Sequence, residues 1–255
     1  MYDYNALTYD LELIRRGKVF TIGKSFENRQ IFCIRYGSGP KKVFVNGAHH
    51  ALEWLTSALL MRYAGSLEKK EPEHSVFIVP MLNPDGVEKV KRDNSVVWQA
   101  NARGVDLNHN YDAGFEKGKE MEEEYGIYGP GPTRFGGMYP FSEKETAAMR
   151  DLTVREQFDL ALCYHSQGEV IYYRYEDKGY PELAKKFAEL TGYETDETEG
   201  IASYRGYKDW FLKEFDKPAF TIEVGLGRNP LQYSQLNGIW EANQKLFEYI
   251  GEMKL

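Results

Sequence analysis

His50, Glu53 and His165 are the residues of this chain best suited to chemistry, because together they offer two imidazoles and a carboxylate to one zinc ion. His50 and Glu53 stand three apart in Asn46-Gly47-Ala48-His49-His50-Ala51-Leu52-Glu53-Trp54. On a helical turn, that spacing projects both side chains from one face. A catalytic zinc takes three protein ligands and keeps one position open for water. The third ligand is expected from Tyr164-His165-Ser166, which follows the apolar run Leu160-Ala161-Leu162-Cys163. An HxxE pair is a weak signal alone, since a capping Glu beside a hydrogen-bonded His has the same spacing. His49 is assigned to packing around the site, because the i, i+3 geometry selects His50.

Glu223 lies between Ile222 and Val224 in a run that otherwise looks buried. A carboxylate there is costly unless it is paired or hydrogen-bonded. Beside a metal it can serve as general base toward the attacking water. A structural ion pair with an arginine would satisfy it as well.

These side chains need a scaffold, and the apolar runs outline one. Strands are expected at 19–23, 31–36, 43–45, 76–79, 159–164, 170–175 and 219–224, and helices at 9–15, 52–68, 181–191, 206–215 and 236–250. Val76-Phe77-Ile78-Val79 is continuously apolar, as in a central strand covered on both faces. Asn83 to Tyr139 is polar and Gly-rich and is expected to be a long functional loop. Ser142 with Glu145 resembles a capping box opening a helix to about Arg155. With 255 residues, no repeat and no linker, the chain is expected to form one α/β domain over 1–255: a mixed, mostly parallel twisted sheet with helices on both faces.

Net charge -7 argues against broad nucleic-acid binding, which needs a basic patch. No run approaches the ~18 apolar residues of a membrane span. The chain opens Met1-Tyr2-Asp3-Tyr4-Asn5 without a basic stretch and apolar segment, so a cytoplasmic location is expected. Cys33 and Cys163 fall inside apparent strands, as small buried hydrophobes do.

Six motifs in order resemble the zinc metallocarboxypeptidases: His50–Glu53, Pro80-Met81-Leu82-Asn83-Pro84-Asp85-Gly86, Gly104-Val105-Asp106-Leu107-Asn108, Pro140-Phe141-Ser142-Glu143, His165-Ser166, and Thr221-Ile222-Glu223-Val224-Gly225. The resemblance implies one zinc per chain on His50, Glu53 and His165, with Glu223 promoting the water. Trp98-Gln99-Ala100-Asn101, Gln167-Gly168-Glu169-Val170 and Gly206-Tyr207-Lys208-Asp209-Trp210 are similar to the bacterial γ-D-glutamyl-L-diamino acid endopeptidase branch. That branch implies a murein stem peptide as substrate.

The departures concern the arginines. Where digestive members hold a substrate carboxylate with Asn-Arg, this chain has Asn108-His109. A histidine lacks the charged planar fork of arginine, so a branched, D-configured substrate is expected in place of ordinary C-terminal trimming. The position of the family's oxyanion arginine holds Gln99, with Arg103 nearby as a substitute. Tyr204 is nearest to the tyrosine that closes over substrate, and Lys208 and Arg228 are candidates for binding a distal carboxylate. Two further readings stay open: an N-acyl amino acid deacylase on the same fold, and a non-catalytic binder of murein fragments.

Overall fold

The computed structural model describes residues 1–93 and 95–253. Its main sheet has eight strands: β1 (Lys18–Lys24), β2 (Gln30–Tyr36), β3 (Lys42–Gly47), β4 (Ser75–Val79), β5 (Leu160–His165), β6 (Val170–Tyr172), β9 (Glu194–Asp196) and β10 (Ala219–Glu223). They lie in the order β1-β2-β4-β3-β5-β10-β6-β9. The central run β4-β3-β5-β10 is parallel, and antiparallel β2 and β6 flank it. A two-stranded ribbon joins β7 (Arg174–Tyr175) to β8 (Lys178–Gly179).

Alternation along the central strands divides the core into two layers. Val43, Val45, Leu160, Leu162 and Phe220 pack on one face with α1 (Tyr4–Glu12), α2 (Trp54–Leu67), α6 (Pro181–Thr191) and α8 (Leu236–Glu252). Phe44, Ala161, Cys163 and Ala219 face the other side, against α5 (Lys144–Glu156) and α7 (Tyr207–Phe215). His165 and Glu223 continue the second set by the same period of two. The chain leaves β3 toward β4 on one side and later returns to β5 on the other. The carboxyl ends of β3 and β5 therefore flank a topological switch point, where open α/β sheets place their ligands.

Several expected elements are corrected. The first helix covers Tyr4–Glu12 and not 9–15, because Asp3 caps it by accepting from Ala6 N at 2.8 Å. The expected long loop contains α3 (Pro84–Arg92) and α4 (Phe115–Glu124). Asn83 caps α3 through Gly86 N, and Pro84 supplies the fixed φ favoured in a first turn. The 170–175 run breaks after Tyr172, and β9 was not anticipated. No capping box forms at Ser142. Its hydroxyl accepts from Asn110 and donates to Glu143, while Glu145 accepts from Phe26 N at 3.1 Å.

Glu145 gives a stability prediction. Burial pushes its carboxyl up to about 7, and the charges of Glu143 and Asp85 add to that. In the unfolded chain the group ionises near 4.5, so stability is fully present below that pH and is lost as pH rises to about 7. Glu145→Gln is expected to remove this fall of up to about 3 kcal/mol, read from urea midpoints across the window.

Candidate active site

The turn after β3 carries two of the three expected ligands, in a tighter form than a helix. His50 precedes a 3₁₀ turn, Ala51–Glu53, and α2 starts only at Trp54. Asn83 holds this turn from beneath, its Nδ2 donating to the carbonyls of His49 and Ala100 at 3.0 and 3.1 Å. Ala51 N also donates to Gln99 O at 3.0 Å. His165 ends β5, and Glu223 ends β10 directly opposite it in register.

The structure brings His50, Glu53 and His165 together. Glu53 Oε1 lies 2.7 Å from His50 Nδ1, its Oε2 lies 2.9 Å from His165 Nδ1, and the two Nδ1 atoms are 3.3 Å apart. One ligand atom from each residue falls within a 4.8 Å cluster able to hold a metal ion. The trio's electrostatics favour a cation. Burial works against the Glu53 carboxylate, yet His50 and His165 bring its pKa down to about 2. Burial also opposes charge on His50, and Glu53 and Asp106 overcome it to raise the imidazole well above its usual value. Two imidazoles and a carboxylate, mostly withdrawn from water, fit zinc's donor preferences.

Asp106 is the functional residue that sequence reasoning missed. Its Oδ1 lies 3.1 Å from His50 Nε2, and its Oδ2 accepts from Arg134 N at 2.8 Å. A carboxylate on the far nitrogen fixes a ligating histidine's tautomer and orientation. Asp106→Asn is expected to weaken metal affinity by about 10–100-fold, measured by competition with a chelator. The signal was available, because Asp106 sits inside the Gly104–Asn108 stretch singled out above.

A cleft of about 520 Å³ opens beside the trio, lined by His50, His165, Glu223, Asn108, His109 and Lys208 among others. Burial, reinforced by the charge of Glu53, raises Glu223 well above the ordinary carboxylate range. Asn108 Oδ1 accepts from Tyr207 N at 3.1 Å. Burial and the charge of Arg205 bring His109 down to about 4, so its imidazole is neutral at pH 7. Lys208, a candidate for binding a distal carboxylate, lines the cleft and is only 3% exposed. Its ammonium donates to Asp209 and to the Arg174 carbonyl.

The other expected residues lie off the cleft wall. Gln99 Oε1 accepts from Thr133, whose hydroxyl also reaches toward Asp106. Arg103 points away from the trio, 3.7 Å from Glu143 and over the ring of Phe26. The ion pair with buried Glu143 holds it there. Tyr204 borders an adjoining depression with Arg174 and Ser203. Arg228 is exposed on the loop after β10, with no hydrogen bond or ion pair among the described residues.

Residues 14–246 match the family model described as zinc carboxypeptidase. The chain is 31% identical to γ-D-glutamyl-L-diamino acid endopeptidase 1 of Lysinibacillus sphaericus, over 96% of this chain and 71% of that protein. It is 26% identical to bovine carboxypeptidase A1 over 60% of this chain and 40% of that protein. Among solved structures, bovine thrombin-activatable fibrinolysis inhibitor in complex with tick carboxypeptidase inhibitor superposes with a TM-score of 0.77 at 18% identity, covering 97% of this chain and 93% of that one. Murein-tripeptide amidase MpaA of Escherichia coli O157 superposes at 0.63 with 15% identity, covering 95% and 99%, and shares the fold. The chain belongs to the zinc carboxypeptidase family of metallopeptidases.

Proposed function

We propose that this enzyme hydrolyses the γ-D-glutamyl–diamino acid bond of murein stem peptides, with meso-diaminopimelate as the diamino acid. The observation that carries the reading is the 31% identity to a γ-D-glutamyl-L-diamino acid endopeptidase across 96% of the chain. Two features of the cleft support it. His109, neutral at pH 7, stands where a terminal-carboxylate arginine would favour ordinary C-terminal trimming. Lys208, in the cleft lining, keeps one ammonium hydrogen beyond its bonds to Asp209 and the Arg174 carbonyl, and that hydrogen can be donated to a carboxylate at the substrate's distal end.

His50, Glu53 and His165 would hold the zinc. When bound there, zinc supplies a Lewis acid that polarises the scissile carbonyl and lowers the pKa of water. Glu223 takes the proton of the attacking water and returns it to the departing amine. The raised carboxyl of Glu223 brings its basicity nearer to neutral pH, as that double duty requires. Asn108 and His109 orient a substrate carboxylate from the cleft wall. Neither Gln99 nor Arg103 lines the cleft, and of the two Gln99 is preferred for facing the oxyanion. Its carbonyl oxygen is fixed by Thr133 beside Asp106, whereas Arg103 is tied to Glu143.

Mass spectrometry of L-Ala-γ-D-Glu-meso-diaminopimelate incubated with the zinc-loaded protein tests the proposal. Release of free diaminopimelate is expected from the wild type. No cleavage by protein shown to hold zinc would refute the assignment and leave the deacylase and fragment-binder readings.

A further inference from the structure

The two imidazoles of the trio are held in different ways. His50 is fixed at its far nitrogen, Nε2, by Asp106 at 3.1 Å. The far nitrogen of His165, also Nε2, is buried and has no hydrogen-bond partner among the described residues. A histidine ring turns about a broad sp³–sp² torsion, so its place on β5 does not by itself set the plane of His165. The neighbouring rings must do so. His50 meets His165 edge-on, with 4.9 Å between ring centroids. His49 lies along its face at 5.3 Å and 28°, the geometry of an offset stack.

His49 is a costly side chain for that place. It is fully buried, and its Nδ1 has no partner among the described residues. An aliphatic side chain would fill the volume without stranding a polar atom. What the histidine adds is its other nitrogen. His49 Nε2 is hydrogen-bonded to the Tyr111 hydroxyl at 3.0 Å. Tyr111 is fully buried in turn, with Phe141 and Tyr207 edge-on to its ring and Trp210 stacked beside it. Tyr207 and Trp210 belong to α7, whose Lys208 and Asp209 line the cleft. One helix thus faces the cleft with one pair of residues and backs the His49–Tyr111 contact with another.

We infer that His49, pinned by Tyr111, is a positioning residue for His165, its ring setting the plane in which His165 presents Nδ1 to the metal. The inference rests on the metal assignment of the proposed function and is independent of the substrate. It gives each ligating histidine its own support: a carboxylate behind His50 and a pinned ring against His165. Outer contacts of this kind govern metal affinity by about 10–100-fold.

Metal titration of the metal-free protein tests the inference without turnover. Zinc affinity is read by competition with a chelator, and the geometry of the site from the visible spectrum of bound Co²⁺. Tyr111→Phe removes one oxygen and keeps the aromatic packing. His49→Phe keeps a ring against His165 and loses the pin. Each is expected to weaken zinc binding by about 10-fold or more and to alter the Co²⁺ spectrum. The double variant should stay within about twofold of the weaker single variant, because both changes break one contact. Urea midpoints of the metal-free proteins separate this role from ordinary packing. Midpoints that fall while zinc affinity stays within about twofold of wild type, with the Co²⁺ spectrum unchanged, would make His49 a packing residue and overturn the inference. Losses that multiply in the double variant would overturn it too. Should His49→Phe fail to fold, the affinity and spectrum of Tyr111→Phe decide alone. Wild-type protein that takes up no zinc would refute the metal assignment and the inference with it, whereas wild-type uptake with unchanged variants refutes the inference alone.

Discussion

Replacing Glu223 by glutamine is expected to lower kcat by about 10²–10⁴-fold, with little change in KM and with zinc still bound. Glutamine keeps the shape of the side chain at the end of β10 and removes its ability to take a proton. Glu223 faces His165 across the β5–β10 ladder without being a member of the ligand trio. Metal affinity and catalysis should therefore separate cleanly in this variant. The wild-type pH profile adds an independent check. Burial and then the Glu53 charge raise the Glu223 carboxyl, so kcat/KM should climb on an acid limb centred above 4.5. A variant that kept near-wild-type kcat would place the base elsewhere.

Arg205→Met is expected to destabilise the fold by about 3–5 kcal/mol, the cost of stranding a buried charge. The Arg205 side chain is fully buried, with Nη2 donating to Glu122 Oε1 at 2.8 Å. Glu122 is buried too, and the same oxygen accepts from Gly136 N. Two glycines shape the slot: a Cβ on Gly118 would lie 2.2 Å from Nε, and one on Gly136 would lie 2.6 Å from Nη1. The guanidinium thus fastens α4 to the segment that leads into Lys208. Scanning calorimetry should show Tm falling by on the order of 10 °C. Adding Glu122→Leu should restore part of the loss, because the stranded charge is then removed. A single variant within about 1 kcal/mol of wild type would show that the pair contributes little.

What the sequence made legible follows from how each feature is encoded. The candidate metal ligands are declared by residue type, and His165 and Glu223 sit at the ends of apolar runs that mark central strands. Asp106 stayed hidden because its role depends on meeting His50 across 56 residues of chain. The helices Pro84–Arg92 and Phe115–Glu124 were missed because their polar, Gly-containing sequences look like loop. β9 is exposed along its whole length and shows no alternation. It is a strand because β6 offers it an edge, a fact no local pattern contains. The burial of Lys208 was invisible for the same reason, since nothing nearby in sequence announces Asp209 and the Arg174 carbonyl as its partners.

The long separation between the candidate metal ligands bears on the order of folding events. His50 and His165 stand 115 residues apart and meet only because β3 and β5 are hydrogen-bonded neighbours. Closing so large a loop is costly in entropy, and ion binding gives little in return until that pairing exists. Zinc should therefore act on the native side of the kinetic barrier. Stopped-flow experiments with and without the metal should give nearly the same refolding rate, while the unfolding arm of the chevron moves to slower rates. A strong acceleration of refolding would instead mean that the β3–β5 contact is already made in the transition state.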